Sequence, residues 1–138
     1  RMNVVRPCND KDVPALSLLS HTLLAALNTE FYEPLLLRHS VFRLIKRIDE
    51  AVMHKICAQG LHCKSFGFGD TIFIVGAEAQ AAYIVASGAV KYTPEPALAS
   101  GEQKLVGDEI GMNQWLSEAA LWSQWIHVGN AEAITGTE

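Results

Sequence analysis

The most constraining feature of the sequence is a change of rhythm at Gly60. From residue 12 to residue 59, leucine and other apolar side chains recur at intervals of three and four, which is typical of amphipathic helices. After Leu61, short runs of β-branched and aromatic residues alternate with glycine turns, which is typical of short antiparallel strands. Because the helices come first and the strands follow, the pattern predicts an α+β chain, with N-terminal helices followed by short antiparallel strands.

Capping residues and helix breakers predict four helices in the first part of the chain. The starts are marked by residues that favour a first turn: Asp12, Pro34, Ser40 and Asp49. Asn28 and Thr29 interrupt the leucine pattern and are expected to end the first helix, and Gly60 is expected to end the last. The last helix is expected to direct four side chains inwards: Val52, Met53, Ile56 and Cys57.

The second part predicts strands separated by tight turns. The expected strands are residues 71–75, 82–86, 89–93, 104–106 and 130–135, and residues 61–66 alternate loosely. Ser87 and Gly88 are expected to close a hairpin in which 89–93 returns antiparallel to 82–86. Residues 117–122 are expected to form one helical turn capped by Ser117.

Composition excludes several classes of protein. Apolar residues make up 49% and charged residues 19% of the 138 residues. The net charge is −4 and the sequence has no basic patch, so nucleic acid is not an expected partner. The longest apolar run, residues 15–27, is too short and too polar to cross a bilayer, and the sequence shows no signal-peptide pattern. Three cysteines cannot all pair, which indicates reduced thiols and a cytosolic setting.

Residues 69–76 (GDTIFIVG) and 82–92 (AYIVASGAVKY) resemble the cyclic nucleotide-binding domain family. Gly69 and Gly76 suit strand corners that need a positive φ, and Ile72 and Phe73 suit opposite faces of a small roll. The resemblance implies a β-roll of the jelly-roll, or double-stranded β-helix, type.

Residues 116–130 resemble the phosphate-binding cassette of that family. Glu118, Ala120 and Leu121 match the family pattern, whereas Ser117 replaces its glycine and His127 its arginine. The resemblance implies that cAMP or cGMP is the ligand, and no resident cofactor is expected. Such a ligand would contact these residues of the cassette: Ser117, Glu118, Ala119, Ala120, His127, Gly129 and Asn130. Amides of residues 117–120 would face the phosphate, and Glu118 would accept a hydrogen bond from the ribose 2′-hydroxyl.

The substitution of arginine by His127 leaves two hypotheses open. Arginine is always charged, whereas histidine is mostly neutral at pH 7, and loss of a charge-assisted bond of about 1.5–3 kcal/mol weakens binding about ten- to a hundredfold. One hypothesis is a working cAMP or cGMP sensor, favoured by Glu118. The other is a ligand-independent interaction module whose pocket is filled by Trp122 and Trp125 or by a partner.

Each of these residues also has a purely structural interpretation. Glu118 would then interact with the dipole of its helical turn, and His127 would be a half-buried histidine bonded to the backbone. Trp122 and Trp125 would pack in the core.

The layout of the chain resembles the C-terminal region of voltage-gated potassium and cyclic-nucleotide-gated channels. That resemblance implies a helical leader at 1–60 and a cyclic nucleotide-binding-like roll at 61–138 that lacks its C-terminal lid helices. It further implies that the chain is part of a larger membrane or regulatory protein, on the cytoplasmic side, and that a homo-oligomer could form through the leader.

Other chemistry is weakly supported by the sequence. His54, Cys57, His62 and Cys63 have a spacing that does not suit a structural zinc site, so no metal is expected. No nucleophile elbow or dinucleotide fingerprint is present. We therefore predict a regulatory protein, not an enzyme.

Overall fold

The computed structural model describes residues 18–95 and 107–138, which form two compact units divided between Lys64 and Ser65. One unit is helical and the other is built from strands, so the predicted α+β order is confirmed. The proposed helix start at Asp12 and the strand at 104–106 lie outside the described residues.

Helix α1 (His21–Leu36) runs through the break predicted at Asn28 and Thr29. It begins at Ser20, whose hydroxyl accepts a hydrogen bond from the amide of Leu23 at 3.3 Å. The Thr29 hydroxyl donates to the carbonyl of Ala25 at 2.9 Å, which satisfies that side chain within the helix. Pro34, predicted to start a separate helix, lies inside the last turn of α1.

Two shorter helices complete the helical unit. Helix α2 (Ser40–Ile48) is capped by His39 instead of Ser40, because the Nδ1 atom of His39 accepts from the amide of Val41 at 3.2 Å. Helix α3 (Glu50–Lys55) begins at Asp49 as predicted and continues as a π-helical turn (Ile56–Gly60). Met53 and Cys57 are fully buried as expected, whereas Val52 is 42% exposed.

The second unit contains two antiparallel sheets. Strands β1 (Thr71–Phe73), β6 (Gly129–Ala133), β3 (Val90–Pro94) and β4 (Asp108–Ile110) form a four-stranded sheet in that order. Strands β2 (Tyr83–Ile84) and β5 (Trp115–Leu116) form a separate pair. Residues 61–66 contribute only an isolated bridge between Phe66 and Thr137.

The predicted hairpin across Ser87 and Gly88 is wrong. Strand β2 pairs with β5, and β3 pairs with β4 and β6, so this turn carries the chain from one sheet to the other. Gly88 has a φ of 81°, and a Cβ at this position would lie 2.3 Å from the carbonyl oxygen of Gly136. Close contact with the C-terminal segment, not a two-residue hairpin loop, therefore requires glycine here.

The core of the roll joins the two sheets. Its buried members are Phe73, Val85, Val90, Leu116 and Ala131, and four partly buried residues pack against them: Ile72, Tyr83, Tyr92 and Ile110. Gly69 and Gly76 have φ values of 83° and 80°, as the positions flanking β1 were predicted to require. The inward alternation along β6 places Ala131 and Ala133 in the interior.

Candidate functional site

The roll contains a cavity of about 280 Å³ that opens beside residues 115–119. Strands β1, β3, β4 and β5 each contribute to its wall, together with the segment that precedes β6. The lining residues are Phe73, Tyr92, Ile110, Trp115, Leu116, Ser117, Glu118, Ala119, Trp125, His127 and Val128. The core framework therefore places part of the predicted cassette against an internal hollow.

His127 is held in the wall of this cavity by contacts on several sides. Its imidazole stacks on the ring of Phe73, with the centroids 3.8 Å apart and the planes 6° from parallel. Its amide donates to the carbonyl of Ala77 at 2.9 Å, and its carbonyl accepts from the amide of Gly76 at 2.8 Å. The residue is 4% exposed, so its position is fixed by packing and backbone pairing together.

The side chains of His127 and Ser117 form a hydrogen bond. The Ser117 Oγ and the His127 Nδ1 are 2.9 Å apart. Burial lowers the pKa of His127 below the ordinary histidine value, because the charged form loses its hydration. The imidazole is therefore mainly neutral at pH 7, and it does not supply the permanent positive charge that arginine would.

Ser117 adopts a left-handed backbone conformation, with φ of 54° and ψ of 35°. This conformation suits glycine and is strained for a residue with a Cβ, which gives a physical reason for glycine at the matching position of the family pattern. The predicted side-chain cap is wrong, since Ser117 makes no capping bond to the 3-10 turn Glu118–Leu121. Its hydroxyl is directed to His127 instead.

The amides of the short turn are not all available to a ligand. The amide of Ala120 donates to the carbonyl of Ser117 at 2.9 Å, which closes the turn. Ala120 is also absent from the cavity lining, although it was predicted to contact the ligand. Of the predicted donors, Ser117, Glu118 and Ala119 line the cavity.

Glu118 is the charged residue among the described residues that line the cavity. It is exposed, and those described lining residues include no lysine or arginine. A carboxylate accepts hydrogen bonds from hydroxyl groups and repels anions. The site is therefore suited to hydroxyl donors more than to phosphate.

Two predicted contact residues have structural roles outside the cavity. The Oδ1 of Asn130 accepts from the amide of Val75 at 2.9 Å and so ties the end of β1 to β6. A Cβ on Gly129 would lie 2.6 Å from the carbonyl oxygen of Thr93 and 2.7 Å from the ring of Tyr92. Gly129 therefore permits close packing of β6 on β3 and does not line the pocket.

The tryptophans occupy different environments. Trp122 is 58% exposed and does not line the cavity, so its predicted packing in the core is wrong. Trp125 is half-buried and lines the cavity. The sequence analysis also missed Tyr92, whose place on the inward face of β3 could have been inferred from strand alternation.

A second hollow, of about 650 Å³, lies within the helical unit. Its described lining consists of four alanines and five polar side chains, one of which is Glu33, whose carboxylate pairs with Lys46 at 2.6 Å. None of these described lining residues is Phe, Tyr or Trp, whereas the cavity of the roll combines aromatic side chains with polar groups. We therefore take the cavity of the roll as the candidate site.

Two features are absent from the described residues. No group of three or more metal-ligating side chains is placed to hold an ion. Within residues 18–95 and 107–138, no helix has the length and apolar character needed to cross a membrane.

No protein-family model matches the chain, and no curated protein matches it. Solved structures do match. A cyclic nucleotide-binding-like protein from Brucella abortus is 23% identical with a TM-score of 0.58, and the match covers 75% of this chain and 83% of that one.

Two protein kinase A regulatory proteins are also similar. The regulatory subunit of a cAMP-independent kinase from Trypanosoma cruzi, bound to guanosine, is 18% identical with a TM-score of 0.61, covering 82% of this chain and 38% of that one. The regulatory domain from Toxoplasma gondii, crystallised with cAMP, is 18% identical with a TM-score of 0.60, covering 84% and 40%. This chain thus has the fold of the cyclic nucleotide-binding-like domains.

Proposed function

We propose that the chain is a regulatory cyclic nucleotide-binding-like domain whose affinity for cyclic nucleotides is weak or lost. The observation that carries the proposal is the pair formed by Ser117 and His127, 2.9 Å apart, at the place where the family pattern has glycine and arginine. Glu118 is the charged group among the lining residues that the structure describes, so a phosphate beside them would meet a carboxylate and no lysine or arginine of that set.

The structural neighbours support a regulatory role. The Trypanosoma cruzi and Toxoplasma gondii proteins are kinase regulatory proteins, described with guanosine and with cAMP respectively. This chain spans about two fifths of their length, 38% and 40%.

Calorimetric titration with cAMP and cGMP tests the proposal. The unmodified protein is expected to bind either ligand no more tightly than millimolar. Ser117→Gly/His127→Arg relieves the left-handed strain and adds a guanidinium, so it is expected to bind at least tenfold more tightly. Ile126→Arg is the matched control, because Ile126 is 58% exposed and outside the lining, and it adds the same charge without changing the cavity.

The alternative is a working cAMP or cGMP sensor, favoured by the position of Glu118 in the lining. Micromolar binding by the unmodified protein, weakened by Glu118→Ala, would establish this alternative and reject the proposal. A double variant that folds but gains no affinity would show that Trp125 or another wall residue blocks the cavity.

The wider setting remains a prediction. The prediction that this chain belongs to a channel-type protein, on its cytoplasmic side, is based on the sequence of the helical leader. The similar kinase regulatory proteins indicate that the fold also occurs in proteins of other kinds. Six membrane spans and a pore loop encoded upstream would support the channel parent.

Self-association through the leader is supported by one exposed helix face. Leu23, Leu27 and Phe31 recur every four residues along α1 and are 59%, 46% and 55% exposed. Sedimentation velocity of the unmodified protein and of Leu27→Asp tests it: an oligomer lost in the variant would support the prediction, and a monomer at high concentration would reject it.

The two cysteines that the structure describes give no support to a redox site. Cys57 is buried and Cys63 is partly buried, and they do not form a disulfide bond with each other. Burial raises the pKa of the Cys57 thiol, which makes it less reactive.

A further inference from the structure

The cavity of the roll has apolar and aromatic residues in its wall. Tyr92 and Trp125 are half-buried and line it, and Ile110 and Val128 complete the apolar surface. Aromatic side chains of this kind stack on planar heterocycles with little dependence on the identity of the ring. The walls therefore favour a ligand that carries a planar aromatic ring.

The polar groups of the cavity are neutral or negative. Ser117 and His127 form an uncharged hydroxyl–imidazole pair, and Glu118 is a carboxylate. A carboxylate has about four lone-pair sites, so Glu118 can accept from ligand hydroxyls while keeping its other contacts. Among the described residues that line the cavity, no cationic side chain would offset the charge of a phosphate.

The size of the cavity limits the ligand. A volume of about 280 Å³ lies at the lower end of what small-molecule sites enclose, roughly 300–1,000 Å³. A single heterocycle joined to one small hydroxylated group suits this space better than a larger cofactor does.

We propose that this cavity binds an uncharged ligand of the nucleoside class, with its ring against Tyr92 and Trp125 and its hydroxyls directed to Glu118, and that it discriminates against the phosphorylated analogues. The inference rests on the proposed function, because it takes the ligand site of the roll to be this cavity.

Two matched ligand pairs test the inference by calorimetry on the full chain. Adenosine is compared with cAMP, and guanosine with cGMP, since each pair differs by the cyclic phosphate. At least one nucleoside is expected to bind ten or more times as tightly as its cyclic nucleotide. Titration at low and high salt adds a check, since only the phosphorylated ligands should depend on ionic strength.

A carboxylate variant tests the assigned role of Glu118. Glu118→Gln is expected to weaken nucleoside binding about fivefold, because a charge-assisted hydrogen bond becomes a neutral one. It is also expected to reduce the difference in affinity between a nucleoside and its cyclic nucleotide, because the repulsion of the phosphate is removed. Glu132→Gln is the matched control, since Glu132 is exposed on β6 and outside the lining, and it should leave both affinities unchanged.

The outcomes separate this inference from the proposed function. No binding of any nucleoside at millimolar concentration would overturn the inference and leave a roll with lost nucleotide affinity. Micromolar binding of a cyclic nucleotide, equal to or tighter than its nucleoside, would overturn both. Equal effects of Glu118→Gln and Glu132→Gln would overturn the assignment of the cavity as the site.

Discussion

The strained backbone at Ser117 predicts a measurable difference between two small substitutions. Ser117→Ala keeps the Cβ in the left-handed conformation, φ 54°, and removes the hydroxyl that lies 2.9 Å from the His127 Nδ1. Ser117→Gly removes the same hydroxyl and also the Cβ. The two variants therefore share the loss of the hydrogen bond and differ in backbone strain.

The magnitudes follow from these two terms. Leaving the buried imidazole of His127 without its partner is expected to destabilise Ser117→Ala by about 1–3 kcal/mol. A left-handed conformation costs a residue with a Cβ about 1–2 kcal/mol, whereas glycine loses about 0.5–1 kcal/mol more in backbone entropy than alanine. Ser117→Gly is accordingly expected to be about 1 kcal/mol more stable than Ser117→Ala.

Urea unfolding followed by tryptophan fluorescence measures this difference. All three tryptophans, Trp115, Trp122 and Trp125, lie in the roll, so the signal reports that unit. A double-mutant cycle with His127→Phe, which keeps a ring against Phe73, should give a coupling of about 1 kcal/mol between positions 117 and 127. Equal stability of the alanine and glycine variants, or zero coupling, would refute the reasoning.

Three further predictions concern stability. Because burial lowers the pKa of His127, the unfolded state binds more protons than the folded state below about pH 6.5. The free energy of unfolding, measured by urea titration, should therefore fall as the pH drops from 7.5 to 5.5, and His127→Phe should make that fall smaller. Gly129→Ala should destabilise the roll by about 1–3 kcal/mol, because its Cβ would lie 2.6 Å from a β3 carbonyl oxygen, whereas Gly136→Ala, with open space, should be near neutral in the same assay. Asn130→Ala should lose about 1 kcal/mol by thermal unfolding and Asn130→Asp should retain it, since only the aspartate can still accept from Val75.

The sequence was sufficient for the order of the elements and for several of their ends. Asp49 caps α3 through bonds to the amides of Ala51 and Val52, at 2.9 and 3.2 Å, as its side-chain chemistry predicts. Gly69 and Gly76 adopt positive φ where strand corners require it. These features depend on residues that are close in the sequence, so a local sequence pattern is sufficient to predict them.

Features that depend on distant parts of the chain could not be predicted in this way. Pro34 stays within the last turn of α1 although a proline there removes an intrahelical hydrogen bond, which is why the local pattern predicted a helix start at this residue. The turn at Ser87 and Gly88 connects two sheets because the C-terminal segment packs against it, a contact across about 48 residues that local turn statistics do not report.

The residues that build the roll are separate from those that set the charge of its cavity. Gly69, Gly76 and Gly88 fix strand corners through their backbone conformations, and none of them lines the hollow. Ser117, Glu118 and His127 line the hollow, and they lie outside the paired residues of β1, β3 and β6. A roll of this kind can therefore lose a cation and gain a neutral pair without losing its fold. For that reason the charge of the ligand has to be argued from positions 117, 118 and 127, since overall structural similarity would be the same for a phosphate site and for a nucleoside site.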